Sequence, residues 1–185
     1  MRQPWHNWFH CSGSTYGAWL RGDPRGWRTR HHREHVEGDY KNPPKKPLPH
    51  IHAQSKRLMQ RVRVTLTPEQ RKFLCLSIAE KSRALNFELL ELCVGGRHFH
   101  ALIRFLPVEY DMPTLDHYQS AKVQMGKLKG YSARMLSKAG LAPEGGIWSK
   151  RCKCKPIANE AHETRVVGYL REHAKKGAVV LSQIT

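Results

Sequence analysis

Gly95-Gly96-Arg97-His98-Phe99-His100-Ala101-Leu102-Ile103-Arg104-Phe105 is the stretch that decides the fold. It is apolar and β-prone. On a strand, successive side chains alternate faces, so His98 and His100 share one face while Phe99, Ala101, Ile103 and Phe105 share the other. One face supplies a core. The other carries two imidazoles close together, an arrangement that can bind a metal. Immediately upstream, Phe87-Glu88-Leu89-Leu90-Glu91-Leu92-Cys93-Val94 is a second β-prone run. Gly95-Gly96 between the two reads as a two-residue hairpin turn.

Further towards the N-terminus, Val62-Arg63-Val64-Thr65-Leu66 alternates and predicts a short strand. Thr67-Pro68-Glu69-Gln70 then opens a helix: Thr67 caps it, Pro68 suits the first helical position and Gln70 completes a capping box. This helix should run to about Ala84, with Phe73, Leu74, Leu76, Ile78 and Ala79 forming its apolar face. The aromatic run from Trp5 to Tyr16 begins like a strand. Between them, from Leu20 to Arg63, the chain is Pro-rich and almost without apolar periodicity. Twelve Lys and Arg residues against four Asp and Glu give that segment a surplus of eight positive charges, with five histidines besides. It is either a solvated linker or a basic arm that follows a phosphate backbone. The cluster His31-His32-Arg33-Glu34-His35 has ligand chemistry but nothing to fix its geometry.

Towards the C-terminus, Pro107 and Pro113 bracket a loop. A long helix is predicted from about Leu115 to Lys138, with Tyr118, Ala121, Met125, Leu128 and Met135 on one face. Gly140 is its C-cap. Ile147 to Ile157 is a basic strand or loop. Asn159 caps a last helix reaching about Lys176, and Val179-Val180-Leu181 either adds a terminal strand or frays.

The chain has 185 residues and a formal net charge of +17, which favours an anionic partner, nucleic acid above all. No apolar run approaches the length of a membrane span, and Met1 to His6 does not read as a signal peptide. The five cysteines are therefore expected as reduced thiols. Cys152-x-Cys154 lacks the second ligand pair that a zinc knuckle needs. One domain is expected overall: residues 1–61 as a first strand with a basic Pro/His-rich extension or insertion, and 62–185 as the main folded part.

The last helix carries the most telling chemistry. Its core face is Val166, Val167, Leu170 and Ala174. Beside it His162, Arg165, Tyr169, His173 and Lys176 recur at helical spacing and so line one side. Tyr169 and His173 are one turn apart. A phenol, an imidazole and flanking cations on one stripe suit phosphodiester chemistry: the phenol attacks phosphorus and cations stabilise the developing charge. A free tyrosine has a pKa of about 10, so it needs a metal or cations nearby. Tyr131, on a lysine-rich helix without a histidine one turn away, is a weaker rival.

Gly96-Arg97-His98-Phe99-His100-Ala101-Leu102-Ile103 resembles the HUH motif (His, hydrophobic, His) of the single-tyrosine transposases, the insertion-sequence single-strand transposases and the REP-associated tyrosine transposases. Leu128-Lys129-Gly130-Tyr131-Ser132 resembles the family's basic helix after the motif. Ile147-Trp148-Ser149 resembles its aromatic segment before the tyrosine helix, and Gly168-Tyr169-Leu170-Arg171-Glu172-His173 that helix itself. The resemblance covers residues 62 to 176 and an aromatic first strand.

It implies an α+β fold with an antiparallel ferredoxin-like sheet of the HUH-nuclease type, early helices on the Phe99/Ile103 face and the tyrosine helix near the histidine face. It implies a metal-dependent single-stranded DNA endonuclease and strand transferase acting in DNA transposition. Tyr169 would be the nucleophile, forming a 5′-phosphotyrosine link and freeing a 3′-hydroxyl. His98 and His100 would hold Mg or Mn. His173 stands where the family often has Gln or Asn, and imidazole is a competent replacement ligand. Lys127, Lys129, Arg134, Lys150, Arg151, Arg165 and Lys176 are the candidate DNA contacts. The implied partner is single-stranded DNA containing a hairpin, the implied setting the prokaryotic cytoplasm and nucleoid, and the oligomer a monomer or homodimer. The rival readings are a non-catalytic nucleic-acid binder on the same fold, a phosphoesterase using two histidine motifs, and a zinc-organised protein built on Cys152, Cys154 and the histidines.

Overall fold

The computed structural model describes residues 5, 7–25, 27–28, 35–36, 49–105, 117–143 and 145–182. The elements run β1 (Trp8–Thr15), β2 (Trp27–Arg28), β3 (His35–Val36), α1 (Pro49–Arg57), α2 (Pro68–Ala84), β4 (Glu88–Val94), β5 (His98–Arg104), α3 (His117–Lys138), β6 (Trp148–Pro156), α4 (Glu160–Glu172) and β7 (Val179–Ser182). A single 3-10 turn, His173–Lys176, joins α4 to β7. Among the described residues no helix is long and apolar enough to cross a membrane.

The chain forms two compact units. One comprises residues 1–15 and 65–185, the other 16–64. In the second unit the buried carboxylate of Asp23 accepts from Arg25 Nε at 2.9 Å, and the Arg25 guanidinium lies 4.3 Å from the Trp19 ring. The Arg61 guanidinium lies 4.0 Å over the Tyr16 ring. Most of the region around the His31–His35 cluster lies outside the described residues.

The first unit is built on a five-stranded antiparallel sheet in the order β6-β1-β5-β4-β7. β1, α2, β4, β5, α3 and β6 follow one another as β-α-β-β-α-β, and their strands lie in the ferredoxin-like order, with β7 added at the β4 edge. The fold is therefore α+β with an antiparallel sheet.

Alternation divides the sheet into two faces. Phe9, Cys11 and Gly13 of β1 lie directly opposite Ile103, Ala101 and Phe99 of β5, and all but Gly13 are buried core. Gly13 is needed there: a Cβ would stand 2.4 Å from Phe99 Cε1. Trp148 at the start of β6 meets the Phe99 ring edge-on at 5.1 Å and donates from Nε1 to Ser132 Oγ of α3 at 3.1 Å. α3 thus covers the Phe99 face, and α2 packs against α3 and β4.

The other face carries His10, Ser12 and Ser14 of β1 opposite Leu102, His100 and His98 of β5. At one end Leu102 and Cys93 are buried with Ile157 and with Val166 and Leu170 of α4. α4 therefore lies on the histidine face.

Several sequence expectations hold in detail. Thr67 and Gln70 form the reciprocal capping box, Asn159 accepts from His162 N at 2.9 Å, and Gly140 has the left-handed φ of +69° of a helix C-cap. Others change. Val62–Leu66 is not a strand: Val64 N donates to Tyr16 O and Leu66 N to Gly96 O, two separate partners that make no ladder. The β4–β5 turn is centred on Gly96-Arg97 and not on Gly95-Gly96, because Gly95 N donates to His98 O at 2.8 Å. Leu76 and Ala174, expected in the core, are exposed. Leu115, the expected first residue of α3, and the Pro107–Pro113 loop lie outside the described residues.

Candidate metal and nucleophile site

Three elements converge on the histidine face. β5 supplies His98 and His100 from alternate positions, which pleating places on one side. α4 supplies Tyr169 in its last turns. The 3-10 turn supplies His173, held because Gly177 adopts a left-handed φ of +75° and Ala178 N donates back to His173 O at 3.1 Å. The last helix thus ends at Glu172, one turn short of the predicted Lys176. That tightening carries His173 into the protein, where it is 8% exposed, while Tyr169 remains 48% exposed.

The geometry is close. His98 Nε2 lies 3.4 Å from His173 Nδ1, and Tyr169 Oη lies 3.5 Å from His100 Nε2. The Tyr169 and His173 rings meet edge-on with centroids 4.8 Å apart. Among the described residues, His98, His100 and His173 are the group whose ligand atoms all come within 4.8 Å of one another. Cys152 and Cys154 are not part of this group.

The donor set fits a divalent cation. His173 Nε2 is a buried polar atom with no hydrogen-bond partner, an orphan that such a cation would satisfy. Burial pushes His98 down to about 4 and His100 down to about 3, with the neighbouring imidazoles adding to the effect. His173 is lowered as well, by burial and then by the charge of Lys176. All three are thus neutral imidazoles at neutral pH, the form that ligates metals.

Two groups of residues at this site escape the sequence reading. His10 of β1 places Nε2 3.1 Å from His100 Nδ1, and its ring stands edge-on to Tyr169 with centroids 6.0 Å apart. Burial pushes His10 down to about 4, with His162, Lys155 and Lys153 contributing. Lys153 and Lys155 lie directly opposite Ser12 and His10 across the β1–β6 ladder, so both share the histidine face and both are exposed. Alternation was the available signal. Trp8-Phe9-His10-Cys11-Ser12 puts His10 opposite the core residues Phe9 and Cys11, and Arg151-Cys152-Lys153-Cys154-Lys155 is one basic face and one thiol face.

The expected DNA contacts are distributed unevenly. Lys176 is close enough to the site for its charge to act on His98 and His173. Arg165 is exposed on α4, and Lys150 and Arg151 are exposed on β6. Lys127 and Arg134 are exposed on α3, across the sheet from Tyr169. Lys129 departs from expectation. It is 5% exposed, and its ammonium donates to Ser149 O at 2.7 Å and to the carbonyls of Lys150 and Arg151 at 3.4 Å. A buried ammonium satisfied by backbone carbonyls is a structural clamp between α3 and β6, out of reach of a phosphate. Tyr131, the rival phenol, donates to Glu80 Oε1 at 2.9 Å on the helical side of the sheet, and that bond holds its pKa up.

Fold and site together define an antiparallel α+β domain with a three-histidine cluster and an adjacent exposed tyrosine. The chain matches no protein-family model and no curated protein. Among solved structures it is similar to a REP-associated tyrosine transposase bound to a REP hairpin, at 15% sequence identity and a TM-score of 0.48, covering 92% of this chain and 68% of that one.

Proposed function

We propose that this protein is a metal-dependent single-stranded DNA endonuclease and strand transferase of the single-tyrosine transposase type. The observation that carries the reading is the convergence of Tyr169 Oη with the histidine cluster, 3.5 Å from His100 Nε2 and one turn before His173. The surplus positive charge and the HUH-like motif support the same reading. A divalent cation held by His98, His100 and His173 would polarise a non-bridging phosphate oxygen and lower the cost of charge developing at phosphorus.

The remaining steps belong to the chain. Tyr169 Oη forms the new bond to phosphorus as it loses its proton to solvent. The bond from phosphorus to the 3′-oxygen of the preceding nucleotide breaks, and that oxygen leaves with the electron pair and is protonated. The product is a 5′-phosphotyrosine and a free 3′-hydroxyl, which can reverse the step on another strand. Lys176 and Arg165 neutralise phosphate charge beside Tyr169. Lys153 and Lys155 hold the backbone where it crosses β1 and β6.

The test is covalent capture. The purified protein is incubated with Mn²⁺ and a single-stranded oligonucleotide carrying a hairpin, and adducts are resolved under denaturing conditions. Wild type should yield a protein–DNA adduct that Tyr169→Phe and EDTA both abolish. An adduct that persists in Tyr169→Phe would overturn the assignment. Binding of DNA with no adduct under any divalent metal would favour a non-catalytic binder on the same fold.

A further inference from the structure

We propose that His10 is a positioning residue of the metal centre: it fixes the tautomer of His100 so that Nε2 is the nitrogen left bare for the cation. This rests on the metal-dependent reading above.

His10 Nε2 stands 3.1 Å from His100 Nδ1, while His100 Nε2 faces Tyr169 Oη at 3.5 Å. The two nitrogens of His100 therefore have separate surroundings, one on the β1 side and one on the nucleophile side. A neutral imidazole carries one proton, and the nitrogen that carries it cannot ligate. If Nδ1–H donates to His10 Nε2, the nitrogen facing Tyr169 is an open lone pair. If the proton sits instead on Nε2, His100 is lost as a ligand there. His10 is well placed to decide between the two. It is half-buried, sits on β1 beside the central strand β5 and diagonal to His100, and its ring lies 5.3 Å from the His100 ring.

Around it stand Tyr169 and His162 from α4 and Lys153 and Lys155 from β6. Among the described residues no carboxylate joins these groups, and an imidazole stands in the place that a carboxylate often takes behind a ligating histidine. His10 is not itself one of the three residues whose ligand atoms cluster. Its effect passes through His100.

Two variants separate this role from packing. His10→Phe keeps the ring and removes the acceptor. His10→Gln keeps an acceptor oxygen. Long-range ¹H–¹⁵N spectra of the metal-free protein read the tautomer of His100 directly, and Mn²⁺ titration reads the affinity. Wild type should show His100 protonated at Nδ1. His10→Phe should lose that preference and weaken Mn²⁺ binding about 10- to 100-fold, and His10→Gln should recover most of the affinity. His100 protonated at Nε2 in the wild type, or Mn²⁺ affinity within twofold of wild type in His10→Phe, would overturn the proposal. An equal loss in both variants would assign the effect to packing and overturn it too. A wild type that binds no Mn²⁺ at all would overturn the metal reading itself, and a His100 still protonated at Nδ1 would mark that failure as distinct from failure of the His10 contact.

Discussion

Arg171, on the solvent side of α4, reaches back to the sheet and donates from Nε and Nη2 to Glu91 Oε1 of β4, at 2.8 and 2.5 Å. Glu91 is 1% exposed, and its second oxygen accepts from Ser182 Oγ of β7 at 2.8 Å. It owes its place to an irregularity in the β4–β5 register between Leu89 and Glu91, which sets Glu91 opposite Leu102 and under α4. One buried carboxylate thus ties the helix that carries Tyr169 to two strands, through a residue two positions after Tyr169. Glu91→Ala should cost about 2 kcal/mol, since Arg171 can return to water but the buried bonds are lost. For a chain this size that is a fall in Tm of about 4–8 °C, read by thermal denaturation, together with weaker metal binding as α4 loosens and His173 moves with it.

Gly95 is a second residue that acts on the site without belonging to it. A Cβ there would lie 3.0 Å from His98 Cε1 and 3.1 Å from His98 Nε2, whereas at Gly96 it would lie 3.3 Å from the flexible end of Arg71. Gly95→Ala should displace the His98 imidazole and lower Mn²⁺ affinity about tenfold, with a small change in Tm. Gly96→Ala should leave the affinity unchanged. Parallel titrations of the two variants check the contrast, and equal affinities would place the glycine's role in the turn alone.

The donor set should select its metal. His98, His100 and His173 offer nitrogen only, and Mg²⁺ prefers oxygen ligands and keeps its waters, while imidazole suits Mn²⁺ and later first-row ions. Mn²⁺ should therefore bind at least about a hundredfold more tightly than Mg²⁺. Calorimetric titration of the metal-free protein with each ion decides it. Comparable affinities would point to oxygen donors from the DNA or solvent completing the shell.

Much of this was legible in the sequence, for physical reasons that differ by element. Thr67 and Gln70 are local signals, so the capping box could be read without knowing the rest of the chain. His98 and His100 followed from strand alternation, and Tyr169 and His173 from helical spacing, although the spacing continued one turn past the true helix end. Lys129 failed because burial is decided by tertiary packing: nothing local says that its ammonium meets three carbonyls of β6. His10 failed because its partner is 90 residues away. Its alternation with Phe9 and Cys11 was visible, but only the β1–β5 register brings that face to His100.

Lys153 and Lys155 should carry a measurable part of DNA binding. Each single-strand phosphate contact contributes about 0.7 to the slope of log K against log salt. The double variant Lys153→Ala/Lys155→Ala should therefore flatten that slope by about 1.4, with binding weakened evenly across sequences. Lys81→Ala on α2, across the sheet, should leave the slope as it is. Fluorescence anisotropy over a salt series measures both, and an unchanged slope in the double variant would move the DNA path off β6.

The neutral histidines also give the metal-free protein a pH dependence of defined sign. His10 and His98 are pushed down to about 4 and His100 to about 3, all from an ordinary value of 6.5. Between those limits the unfolded chain binds protons that the folded chain refuses, so stability rises with pH across that window. The stabilisation is full above about 6.5 and drains away as pH falls towards 4 and then 3. In EDTA, Tm should fall by several degrees between pH 7 and pH 4.5. Carboxylates contribute to any such fall, so the decisive quantity is the difference from His100→Gln, which cannot titrate. That variant should lose less Tm over the same interval than wild type. A wild-type curve parallel to the variant's would mean that His100 is protonated as readily in the folded protein as in the unfolded chain. Its environment would then be wetter than the packing of β5, α4 and His173 requires.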